Sequence, residues 1–235
     1  MMEGRLSEQL EYIYEDEMMK LEISVDEYVS NNKSKGVSQM IGRRYGNLWE
    51  RLVKCTFENS NEASIGDRVY YKDYVNKWIE ENVQNMDECC KRSSESLLRK
   101  FLEENTGTDT QDLCDFTFSS DGVDYAVDTK VRFISNDSNT VREIANSAHH
   151  LKYMGYVPVL LFRKDRAESI SSPIKRFERE GWIIECAEDS GKFIEKFAGN
   201  DLEEWIQDNI DVWERLKKYQ EGLKRLRFDE PDWKF

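Results

Sequence analysis

Residues 115–133, with the sequence DFTFSSDGVDYAVDTKVRF, decide the fold of this chain. Two short runs of alternating apolar and polar residues flank Asp121 and Gly122, a pair typical of the turn between two antiparallel strands. Successive side chains of a strand point to opposite faces, so the apolar residues of both runs fall on one face. The stretch therefore predicts a β-hairpin with a defined inner face.

The opposite face of this hairpin carries charge, from Asp115 on the first strand and from Asp128 and Lys130 on the second. A two-residue turn would place Asp115 directly opposite Asp128. A four-residue turn over 119–122 would place Asp115 diagonal to Asp128. Opposed Cβ atoms lie about 5 Å apart and diagonal ones about 7 Å apart, so both registers allow the two carboxylates to bind one divalent cation.

Two facing carboxylates destabilise a sheet unless a cation neutralises them. Mg²⁺ prefers oxygen ligands and keeps several waters, so one or two carboxylates and a phosphate group suffice to bind it. Lys130, close to Asp128, is placed to orient or deprotonate an attacking water, or to stabilise charge on a phosphate. The same residues would also suit a solvated hairpin face, but the facing Asp115 favours a Mg²⁺ site.

Residues 110–187 predict a mixed α/β core. After the hairpin, the pattern predicts a helix, an apolar strand, a second helix and a second apolar strand, at 138–156, 157–163, 171–181 and 182–187. Both strands are almost continuous apolar runs, which is typical of strands that are covered on both faces.

The rest of the chain is predicted to be helical. Apolar residues recur at helical spacing throughout residues 1–109, which predicts helices at 6–30, 38–58, 67–83 and 93–107. Residues 188–235 are predicted to close the fold with further helices, the last of which spans 200–227. The fold class is therefore α/β, with a mixed-sheet core flanked by helices and a helical N-terminal region, in one domain over 1–235.

Charge limits the partners that the chain can bind. The formal net charge of −13 argues against non-specific nucleic-acid binding. Basic residues are nevertheless concentrated in four stretches, so a folded molecule could carry a basic groove. These stretches are GRRYGNLWERLVK, KRSSESLLRK, RKDRAESISSPIKRFER and RLKKYQEGLKRLR. For each stretch alone, a solvated helix face is the favoured interpretation.

Cysteine and histidine usage disfavours a zinc site. The five cysteines include no CxxC pair, and His149 and His150 are the only histidines. Adjacent histidines on a helix point in different directions, which favours structural or surface roles for both. No run of about 18 apolar residues is present, and the acidic N-terminus is unlike a signal peptide. A cytoplasmic protein with reduced thiols and no membrane association is expected.

The pattern formed by Asp115, Asp128 and Lys130, in CDF and DTK, resembles that of the PD-(D/E)xK nuclease superfamily, particularly type II restriction endonucleases. The resemblance implies that Asp115 and Asp128 bind the metal, that Lys130 is catalytic, and that the core is restriction-endonuclease-like. Cys114 stands where the family pattern has Pro. That departure leaves Asp112, at the entrance of the hairpin, as an alternative first ligand.

Family members often add an acidic residue from a helix that precedes the hairpin, and Glu50 is the candidate here. On a helix, Glu50 shares one face with Arg43 and Asn47. A Glu among basic residues could equally form a surface ion pair that contributes little. The candidate DNA contacts lie on two predicted helices and are Arg43, Arg44, Asn47, Arg142 and Asn146.

The resemblance covers roughly residues 40–187. It implies a Mg²⁺-dependent, sequence-specific endonuclease that hydrolyses double-stranded DNA to leave 5′-phosphates and acts as a homodimer. One alternative is a DNA repair or junction-resolving nuclease on the same core. The other is a non-catalytic helical interaction protein, which the acidic balance and the helical ends of the chain favour.

Overall fold

The structure is a computed structural model that describes residues 2–33, 36–83, 86–104, 111–133 and 138–228. A five-stranded mixed sheet forms its centre, with strands β1 (Ser64–Gly66), β2 (Phe116–Ser120), β3 (Val123–Lys130), β4 (Val157–Phe162) and β5 (Ile183–Cys186). The strands lie side by side in chain order. Neighbours are antiparallel from β1 to β3 and parallel from β3 to β5. The predicted α/β class is confirmed.

Helices cover both faces of this sheet. They are α1 (Met2–Ser30), α2 (Val37–Glu58), α3 (Tyr71–Val83), α4 (Glu88–Glu104), α5 (Ser138–Met154), α6 (Ser171–Glu180), α7 (Glu188–Ala198), α8 (Leu202–Asn209), α9 (Val212–Leu216) and α10 (Gln220–Arg225), with short 3-10 turns at Arg166–Glu168 and Lys217–Tyr219. The N-terminal pair α1 and α2 packs with α7 to α10 on one face. Helices α5 and α6 pack on the other face, and α3 contacts α4 and α5.

Each face of the sheet buries its own apolar cluster. Phe116 and Phe118 of β2 and Val127 of β3 lie in the cluster beneath α1 and α2. Ala126 and Leu160 belong to the cluster beneath α5 and α6. The central strands β3 and β4 are therefore covered on both faces, as the apolar run of β4 predicts.

The hairpin has the two-residue turn. Ser120 pairs with Val123, and Asp121 and Gly122 both have positive φ angles, of 51° and 76°. These angles are typical of a type I′ turn, whose twist matches that of the strands. On the apolar face, the rings of Phe118 and Tyr125 stack with centroids 4.7 Å apart.

The pairing changes at the start of β2. Phe116 pairs with Val127, and the N–H of Asp115 donates to the carbonyl of the same Val127 at 2.8 Å. Two residues of one strand that face a single partner residue form the arrangement of a β-bulge, which reorients a side chain. The direct pairing of Asp115 with Asp128, expected for a two-residue turn, is therefore displaced by one residue.

The region predicted as all-helical contains a strand and an extended segment, so that prediction is wrong for residues 64–70. Strand β1 has three residues, too few to show alternation, and Gly66 lets it approach β2, because a Cβ there would lie 2.4 Å from Thr117 Oγ1. The segment that follows pairs with the entrance of the hairpin, where the N–H of Leu113 donates to the Val69 carbonyl at 2.8 Å. This pairing holds the segment extended, and α3 begins only after it.

Helix α4 begins earlier than predicted. Asp87 accepts a hydrogen bond from the N–H of Cys90 at 3.0 Å and caps the helix. Ser93, where the helix is predicted to begin, therefore lies inside it. The predicted stop, Gly107, lies outside the described residues.

The single helix predicted over 200–227 is wrong, because α8, α9 and α10 replace it. Asp201 caps α8 by accepting from the N–H of Glu204 at 2.9 Å. Asp211 caps α9 in the same way, accepting from the N–H of Glu214 at 2.8 Å. Asp211 thus starts a new helix within the stretch 200–227, whose sequence pattern predicts one continuous helix.

The strand predicted as buried at 182–187 is an edge strand. β5 pairs with β4 on one side only among the described residues, and Ile183 is 41% exposed. An apolar run of this length does not distinguish an edge strand from a central one, because both bury at least one face.

Candidate active site

The charged end of the hairpin lines a cavity of about 240 Å³ between the sheet and α5. Asp128 and Lys130 enter it from the carboxyl end of β3, the end at which α/β sheets usually bind ligands. The other lining residues come from the hairpin entrance, from α5 and from the position just before β5, and are Gln111, Asp112, Leu113, Cys114, Asp115, Glu143, Ile144, Ser147 and Trp182.

Asp128 and Lys130 form an ion pair in this cavity. Lys130 Nζ donates to Asp128 Oδ1 at 2.5 Å, and Asp128 is only 9% exposed. Burial raises the pKa of Asp128 to about 7, Lys130 opposes the rise, and Asp115 adds to it through its charge and a hydrogen bond. Burial disfavours the charged form of Lys130, but Asp128 and Asp115 together raise its pKa above the ordinary value. Lys130 is therefore a permanent cation at neutral pH.

Asp115 is held in place by Thr129. Its Oδ2 accepts from both the backbone N–H and the Oγ1 of Thr129, each at 2.7 Å. Alternation along β3 places Thr129 on the face opposite Asp128, and the bulge at Asp115 brings the carboxylate within reach of both. The sequence reasoning missed Thr129, although it lies between the two predicted residues in DTK.

Asp112, the alternative first ligand, is directed elsewhere. Its Oδ2 accepts from Arg68 Nη1 at 2.6 Å. The carboxylate that interacts with Asp128 is that of Asp115, so the geometry favours Asp115 as its partner. Cys114 lies between Asp112 and Asp115 in the chain and is buried. Burial raises the pKa of its thiol to about 12, which leaves the thiol protonated.

A second cavity, of about 400 Å³, lies on the other side of Asp115 and Lys130, which line both cavities. One face of α2 forms its wall, with Arg43, Asn47 and Glu50 as predicted. The remaining lining residues are Gly42 and Gly46 of α2 and Thr129, Val131 and Arg132. A Cβ atom built at Gly46 meets no atom within 4 Å, so the backbone of α2 is open to the cavity there.

The other predicted DNA contacts lie outside these cavities. Arg44 turns back towards α1, with its Nη1 at 3.8 Å from Glu17 Oε2. Arg142 and Asn146 are exposed on α5, and Arg142 donates to Asn139 at 3.1 Å. The residues of α5 that line the smaller cavity are instead those one position further along, beginning with Glu143.

Glu50 is paired with an arginine that the sequence reasoning did not single out. Arg68, in the extended segment before α3, donates to Glu50 through Nη2 while its Nη1 binds Asp112. Burial and then the charge of Asp115 raise the pKa of Glu50, while Arg68 and Lys130 lower it. The structure thus brings Glu50 near Asp115 and Lys130, but its carboxylate is bound to Arg68.

The donor set fits a hard cation that keeps part of its water shell. The described residues include no group of three or more His, Cys, Asp and Glu side chains arranged to hold a metal. Asp115 and Asp128 nevertheless offer two interacting carboxylates, and burial, followed by the charge of Asp115, raises the pKa of Asp128. Mg²⁺ requires no more protein ligands than these, because water and phosphate oxygens complete its coordination.

The two histidines have separate structural contacts, as their adjacent positions predict. His149 Nε2 lies 2.7 Å from Glu180 Oε2 at the surface. His150 packs against the rings of Tyr71 and Tyr74, with centroid distances of 5.1 and 4.3 Å. Neither histidine lines the cavities that contain Asp115.

The chain is an α/β protein with a helical N-terminal pair and a mixed sheet. Asp115 and Lys130 lie between two cavities and line both of them. Comparison of the chain with protein-family models, with curated proteins and with solved structures finds no match in any of the three. Within the described ranges, no helix combines the length and the apolar character needed to cross a bilayer.

Proposed function

We propose that this protein is a Mg²⁺-dependent endonuclease that hydrolyses phosphodiester bonds of double-stranded DNA. One observation carries the proposal: Asp115, Asp128 and Lys130 meet at the carboxyl end of β3, in a cavity that adjoins a second cavity lined by basic and polar residues of α2. The order of hairpin, helix α5 and buried strand β4 also agrees with the core that the resemblance to PD-(D/E)xK nucleases implies.

The carboxylates would hold the cation. Asp115 and Asp128 supply the ligand oxygens, and the two hydrogen bonds from Thr129 fix the orientation of Asp115. A bound Mg²⁺ would supply Lewis-acid stabilisation of the phosphate and a more acidic water.

Lys130 is better suited to stabilise charge on a phosphate than to abstract a proton. Its pKa is raised by the neighbouring carboxylates, so the ammonium group stays protonated at neutral pH. In the free protein this group neutralises part of the charge of Asp128. Beside a bound phosphodiester, the same group would face the developing negative charge.

The α2 wall would contact the DNA backbone. Arg43 is exposed at the rim of the larger cavity, Asn47 lies one turn along, and Gly46 leaves the helix backbone accessible between them. Arginine and amide side chains are common donors to phosphate oxygens. Sequence-specific cutting by a homodimer that leaves 5′-phosphates is the form of this activity that the resemblance implies.

Incubation with DNA of known, varied sequence tests the proposal. With Mg²⁺ the wild-type protein should produce discrete fragments, and a chelator should prevent cutting. Asp128→Asn and Lys130→Ala should each lower the cutting rate by about 10³-fold or more. Cutting by Asp128→Asn at the wild-type rate would contradict the proposed site.

The two alternative functions give different outcomes in the same assay. Smeared or structure-dependent products would favour a repair or junction-resolving nuclease. An absence of cutting, together with an absence of Mn²⁺ binding in calorimetry, would favour a non-catalytic interaction protein.

A further inference from the structure

Arg68 joins two carboxylates that line different cavities. Its Nη2 donates to Glu50, which lines the larger cavity, and its Nη1 donates to Asp112 Oδ2 at 2.6 Å, which lines the smaller one. The guanidinium group therefore connects the two cavities through one carboxylate of each. No step assigned above to the proposed reaction uses this arginine.

The backbone on both sides of Arg68 is fixed, whereas its side chain is accessible. Thr117 Oγ1 donates to the carbonyl of Asp67 at 3.1 Å, and the N–H of Leu113 donates to the carbonyl of Val69 at 2.8 Å. The Arg68 side chain is 37% exposed, compared with 25% for Glu50. A fixed backbone with an accessible guanidinium allows the side chain to exchange partners without rearrangement of the sheet.

The charges around Arg68 do not balance in the free protein. Arg68 interacts with Glu50, Asp112 and Asp115, and Lys130 interacts with Glu50, Asp115 and Asp128. When they are ionised, these four carboxylates carry two more charges than Arg68 and Lys130 neutralise, an excess that a divalent cation would reduce. Glu50 cannot fully serve that cation while Arg68 holds its oxygen.

We propose that Arg68 controls the access of Glu50 to the metal site, by pairing with Glu50 in the free protein and by moving to a backbone phosphate when DNA binds. The inference rests on the proposed function. Arginine binds phosphate oxygens through two parallel hydrogen bonds, which would replace the two separate contacts that Arg68 makes with Glu50 and Asp112. Partly exposed ion pairs contribute little to stability, so the exchange costs little.

The exchange makes metal binding and DNA binding cooperative. A phosphate that attracts Arg68 frees Glu50 for the cation, and a cation that recruits Glu50 frees Arg68 for a phosphate. Coupling of this kind is reciprocal, because each ligand changes the affinity for the other by the same factor. The free protein then binds Mg²⁺ weakly and acquires its full ligand set only on DNA.

Two binding measurements that need no turnover test this role. In Mn²⁺ calorimetry without DNA, Arg68→Gln should bind Mn²⁺ about fivefold or more tightly than wild type, because Glu50 is no longer paired. Adding Glu50→Gln to that variant should remove the gain. In metal-free buffer, Arg68→Gln should weaken binding to a mixed-sequence duplex and lower the slope of log affinity against log salt by about one.

Arg215→Gln is the matched control, because Arg215 also bridges two carboxylates, those of Glu15 and Glu22, away from both cavities. It should leave both affinities unchanged. Arg68→Lys, which keeps the charge but cannot bridge two carboxylates through a planar group, should give an intermediate Mn²⁺ affinity and serves if Arg68→Gln does not fold.

The outcomes separate this inference from the proposed function. If neither the wild-type protein nor Arg68→Gln shows Mn²⁺ binding that Asp128→Asn removes, both the proposed function and the role of Arg68 would be overturned. Wild-type binding that Asp128→Asn abolishes, with an unchanged or weaker Mn²⁺ affinity in the folded Arg68 variants, would overturn the role of Arg68 alone. A gain in Mn²⁺ affinity that persists after Glu50→Gln would also overturn it, because the effect would then not pass through Glu50.

Discussion

Two neighbouring residues of α2 take part in two arginine bridges that differ in burial. Arg51 donates to Asp16 and Glu17 of α1, and the side chain of Glu17 is only 4% exposed. Glu50, one position earlier, accepts from Arg68 and is 25% exposed. The two arginines are almost equally exposed, at 33% and 37%, so the bridges differ in the burial of their carboxylates. The first bridge holds a buried carboxylate between two packed helices, and the second joins carboxylates that line two cavities.

The comparison shows that burial decides what an ion pair does. Removing one partner of a buried pair leaves a charge without compensation, so such a pair fixes the packing of its helices. An accessible pair is solvated when it opens and can therefore exchange partners. The same residue types thus hold α1 on α2 in one place and remain available to a ligand in the other.

The largest expected effect is a difference in how much the two bridges contribute to the free energy of unfolding. Arg51→Gln should lower the free energy of unfolding by about 2–4 kcal/mol, because it leaves Glu17 buried without its main partner. Arg68→Gln should lower it by less than about 1 kcal/mol. Urea unfolding of both variants measures the difference, and equal losses would show that the two bridges are energetically alike.

The pH dependence of stability extends the comparison to a buried carboxyl group outside both bridges. Asp128, in the smaller cavity, is harder to ionise in the folded protein than in the unfolded chain. The pKa of Asp128 is raised by burial to about 7 from an ordinary value of 3.8, so the folded state binds this proton more tightly than the unfolded chain does. The stability that the protonated Asp128 contributes is complete below pH 3.8 and is lost as the pH rises through about 7.

Asp128→Asn should therefore gain stability over wild type on going from pH 5 to pH 8, by on the order of 2 kcal/mol. Thermal unfolding at both pH values measures the gain. Saturating Mg²⁺ at pH 8 should stabilise wild type and reduce the difference. A difference between the two proteins that is the same at both pH values would contradict the raised pKa.

The smallest expected effect concerns the backbone of α2 at the larger cavity. Gly46 lies inside the helix, and a Cβ atom there meets nothing within 4 Å. Gly46→Ala should stabilise the protein by about 0.5–1 kcal/mol through helix propensity, yet weaken DNA binding because the methyl group projects into the cavity. Gly4→Ala, at an equally open position in α1, should give a smaller gain and leave DNA binding unchanged. Unchanged DNA binding by Gly46→Ala would show that this wall does not contact DNA.

The local parts of this fold could be predicted from the sequence. The Asp121-Gly122 turn, the alternation of β2 and β3 and the apolar stripe of α5 depend on residues close in the chain. The face of α2 that carries Arg43, Asn47 and Glu50 follows from helical geometry alone. These features needed no knowledge of tertiary contacts.

The missed features depend on distant contacts. Strand β1 exists because Gly66 packs on Thr117, and Arg68 meets Glu50 and Asp112 across separations of 18 and 44 residues. The bulge that turns Asp115 towards Thr129 is equally invisible in the alternation of the strands, which predicts a simple opposed pair.

The order of the strands in the sheet has a consequence for how the molecule assembles. Each strand pairs with its predecessor in the chain, so no strand has to be inserted between two that are already paired. The β2–β3 hairpin is the most local pairing, and it already contains Asp115, Asp128 and Lys130 at one end. Glu50 and Arg68 come from earlier parts of the chain and join through long-range contacts. The carboxylates and the lysine thus depend on one local strand pairing, whereas the Arg68 bridge also requires contacts across 18 and 44 residues.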